Sequence, residues 1–518
     1  MNLTGLACLD LLVPDDSPVM TETEFNQLAR QGYNRIPLQA QAFADLETPL
    51  SLYLKLAYVQ DGGRYSFLLE SVVGGERFGR YSFIGLPART LLRATGFGDQ
   101  ARTEVLTDGV VVETAAGNPL DFITAYQKRF RVALQPGLPR FCGGLAGYFG
   151  YDTVRHIEKK LAHTCPPDTL GSPDILLLQC EELAVIDNLS GKLHLIVYAD
   201  PSQADAYATA LARLSALRER LNAPVQVPPV QAAPHAAQQR DYAKPDFLAA
   251  VERAKGLIQA GDFMQIVMGQ RISKPYTQSP LSLYRALRAL NPSPYMYYYH
   301  LGDVHVVGSS PEILVRQEKT PEGRQKITIR PLAGTRPRGA TPEADKAAEL
   351  ELLADPKERA EHVMLIDLAR NDIGRIARIG SVKVSEAFAV ERYSHVMHIV
   401  SNVEGELLDG MGNMDVLRAT FPAGTLSGAP KVHAMELIDQ LEPVKRGIHG
   451  GACGYLSYAG DMDVAIAIRT GVIKDGMLHV QAAAGVVADS VPELEWQETE
   501  AKARAVLRAS ELVEEGLQ

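Results

Sequence analysis

Two pairs of glutamates are the side chains in this sequence best suited to bind a divalent cation. Glu358 and Glu361 form one pair, and Glu495 and Glu498 form the other, at the same three-residue spacing. Positions i and i+3 share one face of a helix, so each pair would project two carboxylates in one direction. Such hard oxygen ligands suit Mg2+ or Mn2+, an ion that keeps several waters and takes one or two protein carboxylates. A single pair is more typical of a solvated helix, so its surroundings must support the metal interpretation.

Segments rich in glycine and arginine predict a pocket for a small polyanion. Residues 330–339 contain three arginines and two glycines. Residues 421–431 predict a loop that leads into a helix near Pro430, where backbone N–H groups attract carboxylate or phosphate. We expect two further elements nearby, a strand that ends at Arg469 and a turn over residues 481–485. Together these segments predict an anion pocket beside the glutamates.

Local patterns indicate which elements position these residues. Asp355 suits a helix N-cap and Pro356 the first helical position, and Glu358 suits the third position of a capping box as well as a metal site. Hairpin turns are predicted at residues 108–109 and 475–476, where Asp-Gly separates two β-rich segments. Hairpins with appended helices predict an α+β fold rather than alternating βαβ units.

One change in composition divides the chain. Residues 222–240 contain four prolines and almost no large apolar side chain, which predicts an extended linker. The linker separates an N-terminal part, residues 1–221, from a C-terminal part, residues 241–518. The alanine-rich stretch from Ser202 to Leu221 is predicted to be a helix that closes the first part.

Composition excludes several classes of protein. The net charge of −10 argues against nucleic acid or an anionic membrane as the partner. No apolar run is long enough for a membrane span, and the first ten residues lack the pattern of a signal peptide, so we expect a cytoplasmic protein. The cysteines have neither zinc-site spacing nor the framework of a disulfide-rich domain; they are Cys8, Cys142, Cys165, Cys180 and Cys453.

Three blocks of sequence resemble the chorismate-utilising enzymes. They are residues 358–372, which begin Glu-Arg-Ala-Glu-His, the Ala-Gly-Thr of residues 333–335, and the Thr-Leu-Ser-Gly-Ala-Pro-Lys of residues 425–431. The resemblance extends over nearly the whole chain and is greatest to the large subunits of anthranilate synthases. It implies an α+β fold in which two large, mostly antiparallel β-sheets pack as a sandwich with helices outside.

The resemblance also implies a reaction, in which chorismate and ammonia give anthranilate and pyruvate. Mg2+ would be the cofactor, bound directly by Glu361 and Glu498, with Glu358 and Glu495 acting through waters. The chain contains no glutaminase, so a separate glutamine amidotransferase subunit would supply the ammonia. The C-terminal part would be catalytic and the N-terminal part regulatory.

Individual roles follow from the same resemblance. Glu312 would be the general acid for the departing hydroxyl, and His398 would assist pyruvate elimination, although His395 lies close by as an alternative. Arg469 and the amides near Gly485 would hold the enolpyruvyl carboxylate. The full set assigned to catalysis is Gln265, Glu312, His398 and Thr425, and the set assigned to substrate is Gly334, Thr335, His449, Arg469, Ala483, Ala484, Gly485 and Lys502.

Two positions bear on the choice of product, and two depart from the family. Gln265 stands where isochorismate- and salicylate-forming relatives carry a water-activating lysine, and Ala333 stands where aminodeoxychorismate synthases often carry a lysine. Both favour anthranilate, although these relatives and a non-catalytic, tryptophan-sensing scaffold remain alternatives. His449 replaces a common tyrosine and Ala483 replaces a usual glycine, so we expect altered affinity with activity retained.

A second site is expected in the regulatory part. Residues 68–71, Leu-Leu-Glu-Ser, and residues 291–296, Asn-Pro-Ser-Pro-Tyr-Met, resemble the tryptophan-binding elements of feedback-inhibited anthranilate synthases. The residues assigned to tryptophan are Glu70, Ser71, Pro294, Tyr295 and Met296. Trp496, the only tryptophan, lies between two of the glutamates, so its fluorescence is expected to respond to Mg2+ with chorismate.

Overall fold

The protein is represented by a computed structural model that describes residues 20–59, 61–72, 79–393 and 396–517. The N-terminal decapeptide, Cys8 and His395, on which some of the predictions above fall, lie outside these ranges. The α-helices are α1 Glu22–Arg30, α2 Pro49–Tyr53, α3 Pro119–Gln127, α4 Ala206–Arg220, α5 Lys244–Ala260, α6 Pro280–Leu290, α7 Pro342–Ala354, α8 Pro356–Gly374, α9 Asn413–Thr420, α10 Lys431–Leu441 and α11 Pro492–Glu514. Shorter 3-10 or π turns occupy Leu54–Tyr58, Asp61–Gly63, Gly98–Gln100, Tyr151–His156, Lys159–His163 and Gly424–Leu426.

The strands form two large sheets. They are β1 Ile36–Phe43, β2 Ser66–Glu70, β3 Tyr81–Gly85, β4 Thr90–Thr95, β5 Arg102–Thr107, β6 Val110–Ala116, β7 Gly144–Phe149, β8 Ile175–Cys180, β9 Glu182–Asp187, β10 Lys192–Ala199, β11 Gln239–Arg240, β12 Gln265–Pro275, β13 Tyr295–His300, β14 Val304–Ser310, β15 Ile313–Lys319, β16 Gln325–Ile329, β17 Leu332–Pro337, β18 Lys383–Arg392, β19 Val396–Glu406, β20 Gly428–Ala429, β21 Ala452–Ser457, β22 Met462–Ile466, β23 Thr470–Lys474 and β24 Met477–Val486.

Within the described ranges each sheet has twelve strands and antiparallel pairing. The first sheet has the order β1-β10-β9-β3-β2-β13-β14-β23-β24-β12-β11, with β20 also paired to β12. The second has the order β17-β19-β16-β15-β22-β21-β7-β8-β4-β5-β6, with β18 also paired to β19. Both sheets contain strands from either side of the linker, since β2 pairs with β13 and β7 pairs with β21.

A buried layer of aromatic side chains lies between the two sheets. Phe67 and Tyr297 of the first sheet belong to the same cluster as Tyr148 and Tyr455 of the second. Alternate residues of each strand face outward instead, as Leu68 does toward the helix-covered core on the far side of the first sheet. The order is therefore helices, sheet, sheet, helices. The predicted α+β sandwich with external helices is confirmed.

Most local predictions match the structure. The turns at residues 108–109 and 475–476 join β5 to β6 and β23 to β24, and all four of their residues have positive φ. Two consecutive residues with positive φ give the turn a twist that matches paired strands. The helix predicted from Ser202 to Leu221 is α4. Residues 222–238 form neither helix nor strand, whereas Gln239 and Arg240, at the end of the predicted linker 222–240, form β11.

Two of the connections that carry the chain from one sheet to the other lie side by side. Pro311 and Glu312 join β14 of the first sheet to β15 of the second. Residues 467–469 return the chain from β22 to β23, and the carbonyl of Arg469 accepts a 3.1 Å hydrogen bond from the Ser309 N–H. Arg469 thus lies in a crossover with φ of 49°, and the prediction that it ends a strand is wrong. None of the helices in the described ranges is long and apolar enough to cross a membrane.

Candidate active site

A cavity of about 650 Å³ lies between the sheets and is closed by α8 and α11. Strands β12 and β24 form one wall, and β17 and β19 form the other. Of the residues predicted for catalysis, substrate and metal, the cavity is lined by Gln265, Glu312, Gly334, Thr335, Glu358, Glu361, His398, Thr425, His449, Arg469, Ala483, Gly485, Glu495, Glu498 and Lys502. Ala484 is buried and does not line it.

The two glutamate pairs face the cavity from two helices. Asp355 caps α8, and its carboxylate accepts hydrogen bonds from the backbone N–H groups of Lys357, at 2.9 Å, and Glu358, at 3.2 Å. The Glu358 carboxylate itself lies 3.5 Å from Arg336 and faces the cavity, so only its backbone takes part in the cap. On α11, Lys502 lies 2.7 Å from Glu498.

The carboxylates interact as like charges. Burial is the main cause that raises the pKa of Glu361, and the charges of Glu358 and Glu498 raise it further. Burial also raises the pKa of Glu495, to which the charge of Glu498 contributes. A cation bound among them would remove this repulsion.

These residues fit a magnesium ion. No three His, Cys, Asp or Glu side chains converge as a closed metal site anywhere in the described ranges. Mg2+ does not need such a cage, because it is held by one or two carboxylates together with waters and substrate. Hard oxygen donors on two facing helices, beside a large cavity, provide that arrangement.

A bulge in β17 shapes the wall near His398. Register against β19 shifts between Ala333 and Arg336, and Gly334 has a φ of 64°. A Cβ on Gly334 would lie 2.8 Å from Leu352 Cδ1 and 3.2 Å from Glu358 Oε2, so glycine is required there. The bulge aims the Gly334 carbonyl at His398.

That carbonyl fixes the proton on the His398 ring. His398 Nδ1 lies 2.8 Å from the Gly334 oxygen, which can only accept, and 3.1 Å from Thr335 Oγ1. Nδ1 therefore carries the hydrogen, and Nε2 is left with a lone pair. Nε2 is buried and has no partner among the described residues. Burial lowers the pKa of His398 to about 4, so the neutral imidazole presents a basic nitrogen to the cavity.

The two crossovers described above carry an acidic residue, Glu312, and a cationic residue, Arg469. Glu312 is buried, and burial raises its pKa to about 8, so the carboxyl is protonated at neutral pH. Thr425 Oγ1 lies 3.4 Å from both oxygens of Glu312. The Arg469 guanidinium forms neither a hydrogen bond nor an ion pair with another described side chain, so it is free to bind an anionic group.

Gln265, at the start of β12, faces Gly485, near the end of β24. Gln265 Nε2 lies 3.4 Å from Glu361 Oε1. A Cβ on Gly485 would lie only 2.8 Å from the same nitrogen, so glycine leaves room for the amide. Residues 481–485, predicted to form a turn, are instead part of β24, because Ala483 pairs with Gly269. The methyl of Ala483 consequently faces the cavity from a strand.

His449 and Lys502 complete the polar lining. His449 is buried, and its Nε2 has no partner within the part of the chain that the structure describes. Burial holds the pKa of His449 well below its usual value, and the charges of Arg446, Arg271 and Lys502 add to this effect. Lys502 Nζ donates a 2.8 Å hydrogen bond to the carbonyl of Ala483.

A second cavity, of about 250 Å³, lies between the sheets and is lined by all the residues assigned to tryptophan. Glu70 lies on β2, and its carboxylate is bound by Arg288, at 2.6 Å, and by the Tyr284 hydroxyl. These partners lie across the strand from the cavity, which leaves the backbone of Glu70 to face it. The segment 291–296 borders both cavities, because residues 291–293 line the first and Pro294 to Met296 line the second.

The sequence analysis missed Tyr393, which lines the first cavity, and Arg336, next to it, does not take the role predicted for its segment. Tyr393 packs edge-on against His398, with ring centroids 5.5 Å apart, and Arg336 contacts Glu358. Tyr393 follows β18, and no periodicity or motif predicts that its ring faces the cavity. Arg336 lies in the arginine-rich segment that was interpreted as an anion site, yet it pairs with Glu351, at 2.9 Å, and Asp355, at 2.8 Å.

Comparison with known proteins agrees with this geometry. The family described as chorismate binding enzyme matches residues 88–508. Anthranilate synthase component 1 of Neisseria meningitidis serogroup A is 57% identical over 502 residues, which cover 96% of this chain and 100% of that protein. The same protein of Pseudomonas aeruginosa is 56% identical over 507 residues, with coverage of 96% and 100%.

A solved structure gives the same result. The crystal structure of anthranilate synthase component I from Streptococcus pneumoniae superposes with a TM-score of 0.72 at 37% identity, covering 85% of this chain and 94% of that one. The family match spans most of the described sandwich and includes all four glutamates. The chain therefore belongs to the chorismate-binding enzyme family, in which these similar relatives are anthranilate synthase component 1 proteins.

Proposed function

We propose that this protein is the large subunit of an anthranilate synthase, which converts chorismate and ammonia to anthranilate, pyruvate and water. One observation carries the proposal. A single cavity combines a protonated acid, Glu312, with an unpartnered basic nitrogen, His398 Nε2, in a chain that is 57% identical to an anthranilate synthase component 1. An acid and a base with well-separated pKa values suit a reaction of two proton transfers.

The acid serves the first step. Ammonia attacks C2 of the chorismate ring, the two double bonds shift, and the C4–O bond breaks. Glu312 donates its proton to the departing hydroxyl, which leaves as water, and Thr425 steadies the carboxyl through the contacts at 3.4 Å. Arg469, which lies near enough to influence the pKa of Glu312, holds the enolpyruvyl carboxylate.

The base serves the second step. His398 Nε2 takes the proton from C2, and the electron pair of that C–H bond forms the C2–C3 double bond. The C3–O bond breaks, so the ring becomes aromatic and enolpyruvate leaves, which then takes a proton to become pyruvate. The Gly334 carbonyl keeps the hydrogen on Nδ1 and thereby keeps Nε2 basic.

Mg2+ held by Glu361 and Glu498 would orient the ring carboxylate and withdraw electron density from the ring. Glu358 and Glu495 would act on it through waters. Lys502, 2.7 Å from Glu498, contributes a positive charge at the same wall. Gly334, Thr335 and His449 contact the substrate from the remaining sides.

The choice of nitrogen over water rests on two uncharged residues. Gln265 is a primary amide and cannot deprotonate water as an amine can, and its amide lies beside Glu361. Ala333 likewise carries no amine, which disfavours the 4-amino product. We further propose that a separate amidotransferase subunit delivers ammonia from glutamine, and that tryptophan inhibits by binding in the second cavity.

The test is product identification with the purified chain, chorismate, Mg2+ and ammonium at high pH. We expect anthranilate, recognised by its fluorescence and chromatographic retention, in equal amount with pyruvate. Glutamine in place of ammonium should give no product until the partner subunit is added. Formation of 4-amino-4-deoxychorismate, isochorismate or salicylate would contradict the proposed product. Chorismate binding without turnover would instead support a non-catalytic scaffold.

A further inference from the structure

Tyr393 forms part of the cavity wall and packs against the proposed base. Its ring meets the His398 ring edge-on, with centroids 5.5 Å apart and an interplanar angle of 64°. The backbone of Tyr393 is fixed on both sides: its N–H donates to the Val396 carbonyl at 2.8 Å, and its own carbonyl accepts from Arg338 Nη1 at 2.8 Å. The ring thus stands on a fixed backbone.

The hydroxyl of Tyr393 is tethered away from the cavity. It donates a 2.9 Å hydrogen bond to Glu391 Oε2, and Arg330 binds Oε1 of the same carboxylate at 2.5 Å. Glu391, which binds the Tyr393 hydroxyl, lies directly opposite His398 in the β18–β19 register. The residue that holds Tyr393 and the proposed base are therefore on one pair of strands. Since its hydroxyl is engaged by Glu391, Tyr393 has no proton to offer the substrate through this arrangement.

The hydrogen bonds of the His398 ring do not fix its orientation completely, so packing against the Tyr393 ring matters. The polar contacts at Nδ1 hold one edge of the imidazole, but they leave the ring plane free to tilt about that edge. Nε2 has no partner of its own among the described residues. A tyrosine ring packed on the imidazole restricts the tilt, in the way that packing neighbours lock catalytic rotamers.

We propose that Tyr393 is a positioning residue, whose tethered ring holds His398 with Nε2 directed at C2 of the substrate. The inference rests on the proposed function and goes beyond it, because it assigns a role to a residue outside the proposed catalytic and binding set. His398 acts only in the second step. Loss of the support should therefore slow elimination and leave the addition of ammonia nearly unchanged.

The experiment follows both steps at once. Wild type, Tyr393→Leu and Tyr393→Phe are mixed with chorismate, ammonium and Mg2+, and the amino intermediate and anthranilate are quantified by chromatography after quenching. Tyr393→Leu should slow anthranilate formation by up to about 100-fold, as misplacement of a reacting group can, with accumulation of the intermediate. Tyr393→Phe keeps the ring and loses one hydrogen bond, so its loss should stay below about 10-fold.

Two controls separate positioning from general damage. Tyr207→Leu removes a half-buried tyrosine whose hydroxyl bonds to the Met20 carbonyl and which does not line the cavity, so it should leave the product ratio unchanged. Glu391→Ala removes the hydrogen bond to the Tyr393 hydroxyl together with the ion pair to Arg330 and a negative charge near His398, and Arg330 retains Glu386 at 3.5 Å. It should shift the ratio toward the intermediate even if Tyr393→Leu does not fold.

The outcomes distinguish the two proposals. If Tyr393→Leu and Glu391→Ala lose both steps equally, or leave the ratio as in the wild type, Tyr393 does not position His398 and the inference is overturned while the proposed function stands. If the wild type forms no anthranilate at all, the proposed function fails and the inference fails with it.

Discussion

The two cavities between the sheets differ in whether their polar groups already have partners. In the first, His398 Nε2 and His449 Nε2 have none among the described residues, and the Arg469 guanidinium forms no ion pair there. In the second, Arg316 binds Asp463 at 2.9 Å and the Tyr295 hydroxyl at 3.0 Å.

This difference in polar pairing indicates that the two cavities have different functions. A buried polar group without a partner is costly, and it is kept where a substrate or a proton transfer will use it. A cavity whose polar wall groups already have partners is better suited to bind a small molecule through shape complementarity and backbone contacts. Polar groups without partners, as in the first cavity, are therefore typical of a reaction site, and paired polar groups, as in the second, are typical of a binding site.

The largest effect is expected from His398→Gln. Without the basic Nε2, anthranilate formation should fall by about 10²- to 10⁴-fold, while the amino intermediate accumulates. His479→Gln is the matched control, because His479 is also a histidine of low pKa but bonds to Ser273 and does not line the cavity. Chromatography of quenched reactions measures both products. Equal effects of the two substitutions would remove the distinction between the cavity and its surroundings.

Glu312 should give the reaction its alkaline limit. Burial raises the pKa of Glu312 to about 8, so the carboxyl is an acid below that pH and an anion above it. The rate, expressed per unit of free ammonia, should fall as pH rises through about 8, and Glu312→Gln should be slower by about 10²-fold with this limb absent.

The same substitution should affect stability with a definite sign. Because the folded-state pKa is raised, the neutral carboxyl favours the folded state at low pH, and this contribution is lost as pH rises through about 8. The thermal stability of Glu312→Gln relative to wild type should therefore be higher at pH 9 than at pH 6. A constant difference between the two proteins would mean that Glu312 ionises normally.

Removal of a metal ligand should weaken cation binding. Glu361→Gln is expected to lower affinity for Mn2+ or Mg2+ at least about 10-fold, measured by calorimetry or by electron paramagnetic resonance of Mn2+. Asp367→Asn, on the same helix but outside the cavity lining, is the matched control and should bind as the wild type does. Chelation of the metal should abolish turnover of the wild type. Unchanged Mn2+ binding by Glu361→Gln would remove Glu361 from the metal site.

The second cavity should respond to tryptophan independently of turnover. Ser71→Ala is expected to weaken tryptophan inhibition by about 5- to 150-fold, the usual range of coupling between two sites, with little change in kcat. Ser82→Ala, on the neighbouring strand with its hydroxyl toward Asn188, is the control. Identical inhibition curves for the two variants would place the inhibitor elsewhere.

The smallest effect is expected at Trp496. Its indole packs on Phe247, with centroids 5.4 Å apart, beneath the Lys244 ammonium at 5.9 Å, and it does not line the cavity. The fluorescence response predicted from its position between two glutamates is therefore expected to be weak. A titration with Mg2+ and chorismate measures it. A large change in emission would show that α11 moves when ligands bind.

Local chemistry explains what could be predicted. Asp355 and Pro356 begin α8 as predicted, and the Asp-Gly pairs make the two predicted turns, because caps and turns depend on a few neighbouring residues. The segment 481–485 was harder, because small residues suit both a turn and a strand that approaches its neighbour closely. The segment forms a strand because it pairs with β12, which is distant in sequence.

Local sequence patterns predict the helices that carry the glutamates and the hairpins, and the family blocks indicate the candidate site residues. Which of these residues lie together depends on how the two sheets pack and connect. Glu312 and Arg469, 157 positions apart, become neighbours because two sheet crossovers lie side by side. Ala484 and Trp496 face away from the cavity although Gly485 and Glu495 beside them face it, since adjacent positions on a strand or helix point in different directions.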